Sequence, residues 1–195
     1  MFTIAKDTKI QIEFNPAVVA EYRLIGYENR MLKTEDFNND KIDAGDIGAG
    51  HTVTALYEVA LVGGKGLKMD PLRYSQPATA AAAPSAKEFA FVKLRYKLPS
   101  EDASKLIEIP LDRAMLDKAG PASADFKFAA AVAAFGQKLR HGAYLGDFGY
   151  ERIAALAAEG RGSDAQGYRV EFVNLVKTAA ALDGGVRTSE APPAD

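Results

Sequence analysis

The residues best suited to chemistry crowd into one stretch, "EDFNNDKIDAGDIGAGH", from Glu35 to His51. Five carboxylates, two asparagines, three glycines and one of the chain's two histidines fall within seventeen residues. Asp36, Asn38 and Asp40 stand at the first, third and fifth positions of a D-x-N-x-D alternation, which wraps oxygen ligands around a hard cation. With Asp43 they are the candidate metal ligands of this chain. The remainder of the pattern does not follow: Lys41 stands where the sharp turn needs glycine, and Ile47 where a bidentate glutamate would close the cage. A lysine beside the site opposes a dication, so neither calcium nor magnesium is the favoured reading. The favoured one is a tied turn, with carboxylates accepting backbone N–H bonds or pairing with Arg23, Arg30 or Lys41.

His51 follows Asp43 and Asp46 closely, as half of a base–orienter pair would. No nucleophile elbow accompanies it, and a histidine that starts a strand is the simpler account. His141, in "RHGAY", receives the same structural reading. "GGKG" at Gly63 to Gly66 lacks the Lys-Ser/Thr and helix of a phosphate loop and reads as a turn. Lys93, Arg95 and Lys97 alternate along one strand as a solvated basic face. No catalytic residue is assigned, and no cofactor is expected.

The elements that position these residues divide into a strand-rich front and a helix-rich back. In "KIQIEF", Ile10, Ile12 and Phe14 alternate with polar residues, as in a strand with one buried face, until Asn15-Pro16 breaks it. "VVAEYRLIGYENR", "TVTALYEVALV", "FAFVKLRYKLP" and "KLIEIPL" supply four more strands; Pro110 in the last points to a sheet edge. The Gly/Pro/Ala-rich segment 69–86 has too few large apolar residues to pack and reads as an exposed excursion. After Pro121 the period becomes helical. Phe128, Val132, Phe135 and Leu139 recur with Ser123 or Asp125 as N-cap, a second helix runs from near Asp147 to a C′ glycine at Gly160, and a third opens on a Ser163/Gln166 capping box.

Strands in succession followed by helices in succession give an α+β fold: an antiparallel sheet or sandwich of about five main strands, then a three-helix region. The expected organisation is a β-rich region over 1–113, a helical region over 121–183 packed on it, and a disordered tail over 184–195. The expected core comprises Ile10, Ile12, Leu24, Val53, Tyr57, Val92, Leu94, Phe128, Val132, Phe172 and Leu175.

Composition excludes several classes. The 195 residues carry a net charge of −2, which offers no basic field to nucleic acid. Cysteine is absent, which removes disulfides and thiolate chemistry. No apolar run spans a bilayer, so direct membrane insertion is not expected, and the start carries no signal peptide.

The long segment from "IAKDTKIQIEF" to "GAGHTVTALYEV", with "DFKFAAAVAAFGQKLR" and "GYRVEFVNLVKTAAAL", resembles a C-terminal domain of unknown function. That domain follows the von Willebrand factor type A domain in a family of bacterial cell-envelope proteins, many of them lipoproteins. The resemblance implies a periplasmic or cell-surface setting and a non-catalytic support module, with the adjacent A domain and other envelope proteins as partners. It also implies that "FTIAKD" is the exit from an A domain. The D-x-S-x-S metal motif of A domains occurs nowhere in this chain, so that metal site transfers to no residue here. A metal-dependent enzyme or ligand-binding sandwich built on the loop 35–51 is the alternative.

Overall fold

The computed structural model describes residues 2–26, 31–64, 66–68 and 87–187. Among the described residues six strands precede four α-helices: β1 Thr3–Phe14, β2 Val19–Ile25, β3 Gly45–Gly48, β4 Leu56–Leu61, β5 Glu88–Lys97, β6 Lys105–Asp112, α1 Arg113–Asp117, α2 Ala124–Leu139, α3 Tyr150–Glu159 and α4 Tyr168–Arg187; a 3-10 turn at Thr34–Asp36 lies between β2 and β3. The chain is α+β, with every strand pair antiparallel. Contacts divide it into two units, residues 1–119 and 120–195.

In the first unit β3-β1-β5-β6 form one sheet and β2-β4 a second. The register Lys9↔Arg95, Gln11↔Lys93 and Ile12↔Val92 gives the larger sheet two unlike faces, because residues directly opposite share a face. One carries Ile10, Ile12, Phe14, Val92 and Leu94. The other carries Lys9, Lys93, Arg95 and Lys97. Phe14 is buried beside Val19 and Ala90, and its ring meets Tyr22 at 4.7 Å and Tyr57 at 5.5 Å, so the two-stranded sheet covers that end of the apolar face. Asn15 stitches the turn that carries the chain across. Its Nδ2 donates to the Glu88 carbonyl at 2.6 Å, and its Oδ1 accepts from Ala17 N–H at 3.0 Å. Pro110 lies in the edge strand β6, where a missing donor costs the ladder least.

In the second unit α3 packs against both α2 and α4. Ala131, Ala134, Phe135, Ile153, Ala157 and Val176 form its core, with Phe172 edge-on to both Phe128 and Phe135. Ser123 caps α2 by accepting from Phe126 N–H at 3.1 Å. The cap of α4 is Asp164, not Ser163 with Gln166: its two carboxylate oxygens accept from Arg169 N–H at 3.1 Å and Val170 N–H at 2.9 Å. Asp164 sits at φ 38, a left-handed conformation that Asp tolerates, and those bonds hold its carboxyl below the ordinary range.

Gly160 does end α3, but at φ −82 rather than in the left-handed C′ conformation. Its role is close approach: a Cβ there would lie 2.5 Å from the Phe128 nitrogen of α2. The left-handed residue after α2 is instead His141 at φ 53. Its N–H donates to the Lys138 carbonyl and that of Gly142 to the Gln137 carbonyl, the paired bonds of a Schellman cap.

Several expectations change. Ile10 is 50% exposed, Val132 42% and Leu175 54%, because each lies on the margin of its apolar face. Val53 is 57% exposed because the strand starts only at Leu56. β3, inside the acidic stretch, and the short α1 were not anticipated. α4 continues to Arg187, beyond the expected start of the tail at 184. The excursion 69–86 and residues 188–195 lie outside the described residues.

Candidate functional site

The acidic stretch lies on the basic face of the larger sheet, and the two are joined by a connected set of polar contacts. It begins with a bulge. β1 shifts register between Lys6 and Lys9, and Asp7 adopts φ 52 there, which re-aims its carboxylate toward β5. Lys97 Nζ donates to Asp7 Oδ2 at 2.7 Å and to the Asp40 carbonyl at 2.8 Å. Asp7 Oδ1 accepts from Ala44 N–H at 3.3 Å, and Asp7 N–H donates to Asp46 Oδ1 at 3.2 Å. The bulged aspartate therefore ties residues 44 and 46 to the sheet, while its partner Lys97 holds residue 40.

Two further cations complete the tie. Lys9, almost fully buried, donates from Nζ to the carbonyls of Asp36 and Asn39. Arg95 donates from Nε to Asp40 Oδ1 at 3.2 Å and from Nη1 to Asn38 Oδ1 at 3.3 Å. Phe37, 4% exposed, is the buried apolar residue of this stretch. Within the stretch Asn39 Oδ1 accepts from Lys41 N–H at 3.0 Å, an Asx turn. Burying Lys9 and Lys97 is tolerable only because carbonyls and a carboxylate meet their ammonium groups.

The electrostatics follow. The hydrogen bond from Lys97, reinforced by Ala44 N–H, outweighs burial and holds the Asp7 carboxyl below its usual range. Asp7 reciprocally raises Lys97. Ser104 and then Arg95 hold Asp40 below the carboxylate range. The Ser104 hydroxyl is buried without a partner in hydrogen-bond geometry among the described residues, so it acts on Asp40 as a nearby dipole and Arg95 makes the directed bond.

The four candidate ligands are thus distributed, not gathered. Asp40 and Asn38 face Arg95, Asp36 contributes its carbonyl to Lys9, and Asp43 lies beside Asp7. Among the described residues no three His, Cys, Asp or Glu side chains group as a metal ion would require. His51 is exposed and its Nδ1 lies 3.3 Å from the Ala49 carbonyl, within its own turn.

The pairing partners differ from those expected. Arg23 pairs across β2-β4 with Glu58, whose carboxylate is disfavoured by burial but held low overall by Arg23 and Lys68. Lys41 enters the turn through its backbone N–H, and Arg30 lies outside the described residues. The cations that matter are Lys9, Arg95 and Lys97; the last two belong to the Lys93, Arg95 and Lys97 stripe that the sequence presents as a solvated face, and Lys9 stands outside it. Their signal was register: lysine at position 9 and bases at 95 and 97 on neighbouring strands leave one sheet face strongly positive, beside a stretch with five carboxylates.

Residues 1–182 match the family described as "Uncharacterized protein YfbK, C-terminal". The chain belongs to this family. Among curated proteins it is 48% identical over 179 residues to "Uncharacterized protein YfbK" of Escherichia coli (strain K12). That alignment covers 92% of this chain and 30% of the relative, so the chain spans under a third of the relative's length. No solved structure matches the chain. The match over 1–182 contains the first unit, α2, α3 and most of α4, and the whole tied stretch from Glu35 to His51.

Proposed function

We propose that this domain is a non-catalytic support and interaction module of a larger protein containing a von Willebrand factor type A domain. In this reading it serves adhesion or protein assembly in the periplasm or at the cell surface. The observation that carries the proposal is the commitment of the acidic stretch to internal cations. Lys9, Arg95 and Lys97 bond the Asp40 carboxylate, the Asn38 amide oxygen and the carbonyls of Asp36, Asn39 and Asp40, oxygens for which a metal at this alternation would have to compete. A catalytic site needs a poised nucleophile, a base and an electrophilic partner in mutual reach. The polar groups here have the opposite character, paired with one another and holding a loop onto a sheet.

The resemblance to domains that follow an A domain supplies the partner, and the match to under a third of a longer relative agrees with a role as one part of a larger chain. The A domain of the same chain is the first partner, and other envelope proteins the second. A pull-down with the longer protein, with and without residues 1–182, tests this. Loss of specific envelope partners on deletion is the expected result. An unchanged set of partners would reject the proposal.

A further inference from the structure

Part of the acidic stretch lies on the larger sheet without joining it. Among the described residues, 31–44 form no strand. Their backbone bonds run from Asp36 to Lys33, Phe37 to Thr34, Asn39 to Asp36 and Ile42 to Asn39, all within short turns. The sheet holds them with side chains instead. Lys9 and Lys97 donate to the carbonyls of Asp36, Asn39 and Asp40, and Arg95 to the Asp40 carboxylate and the Asn38 amide oxygen. The donors stand on β1 and β5, which pair from Lys6↔Lys97 to Phe14↔Ala90, so their spacing is fixed by a ladder that does not involve the segment. This is how a surface binds a peptide: preset cations meet carbonyls, which every peptide has, and one carboxylate and one amide, which select.

We propose that the basic face of β1 and β5 is a binding site for an acidic peptide segment of a partner protein, held shut by residues 34–44 as its internal occupant. The inference rests on the interaction role proposed above and gives that role a surface. Release of the segment uncovers a single buried side chain, Phe37, and leaves the β1-β5-β6 ladders intact, so it is a local opening rather than unfolding of the sheet. Lys97 then keeps Asp7 but loses the Asp40 carbonyl, and Lys9 loses the carbonyls of Asp36 and Asn39. Ammonium groups set this deeply in the sheet favour a replacement that again brings carbonyls and a carboxylate. A partner segment with an acid, an aromatic residue and an Asn or Asp in the order of Asp36 to Asp40 supplies them.

Two measurements on the full chain test this. In native-state hydrogen exchange, the amides of Phe37, Asn39 and Ile42 exchange at least about tenfold faster than those of the β1-β5 ladder, because the segment opens by itself. Equal protection of the two overturns the proposal. The second measurement is fluorescence anisotropy with a labelled synthetic peptide, TEDFNNDKIDA, the sequence of residues 34–44. The variant Phe37→Ala/Asp40→Ala, whose own segment is weakened, binds it at least about tenfold more tightly than the parent, since apparent affinity scales with the open population. Addition of Arg95→Glu loosens the segment further yet abolishes peptide binding, an outcome that loosening alone would not give. Persistent protection of the β1-β5 ladder in each variant shows that the sheet remains folded. No binding by the weakened variant, or binding that Arg95→Glu leaves unchanged, rejects the site. Sedimentation of the weakened variant as a dimer would assign the face to a second copy's segment and overturn the partner. All of these readings concern the isolated domain, so they can fail while the pull-down with the longer protein succeeds, and the reverse.

Discussion

Gly160→Ala separates two explanations for the glycine that ends α3, because they predict opposite signs. Its φ of −82 is open to any residue, so were the site spacious, alanine would stabilise by about 0.4–1 kcal/mol through the unfolded chain. The space is absent. The new Cβ would stand 2.5 Å from Phe128 N, 2.8 Å from Ala124 O and 2.9 Å from Phe128 Cα, all backbone atoms of α2 that cannot swing aside. Relief requires the helices to part by roughly 1 Å, and overpacking of this kind costs about 1–3 kcal/mol. It also moves the Gly160 carbonyl, which accepts from Arg169 Nη1 at 2.7 Å. The net effect is a destabilisation of about 2 kcal/mol, or about 8–16 °C in the melting of a unit of this size. Thermal melting followed at 222 nm measures it. A melting temperature equal to or above that of the parent refutes the close approach of α3 to α2.

Stability should fall with acid in a defined window. Asp7, Asp40, Glu58 and Asp164 all have lowered carboxyl pKa values, so their contribution is complete above the unfolded value of about 4 and is lost as pH falls through the lower folded values. Melting temperatures that stay level from pH 4 to pH 2 would contradict these pairings. Calcium titrated to millimolar concentration should produce neither saturable heat nor a rise in melting temperature, because binding to the folded state must stabilise it; a micromolar interaction lost in Asp36→Ala and Asp40→Ala would reverse the reading of the acidic stretch. His141→Gly should stabilise the helical unit by roughly 1 kcal/mol by relieving a left-handed residue at the α2 cap, visible as a higher midpoint in urea.

What was legible in the sequence was local periodicity. The alternation in Ile10, Ile12 and Phe14 marked β1, and the spacing of Phe128 and Phe135 marked the buried side of α2. The turn character of the acidic stretch followed from its Asp, Asn and Gly content. What was hidden depended on register and on neighbours. β3 is four residues long with two glycines and exists only because β1 supplies a ladder for it. The bulge at Asp7 cannot be read from the Lys-Asp-Thr-Lys order, yet it decides which carboxylate meets Lys97. Gly160 looked like an ordinary helix stop, although its reason lies in α2, more than thirty residues earlier. Ser163 and Gln166 matched a capping pattern, but Asp164 can offer two acceptor oxygens to two backbone donors and takes the cap from them.

The proposed role as a support module is tested most directly by the arrangement of the longer protein in solution. Small-angle scattering of a protein that contains both the A domain and residues 1–182 reads that arrangement. The support role predicts one compact particle with a single narrow distribution of interdomain distances. A broad distribution, as of two bodies tethered by a flexible linker, would contradict it.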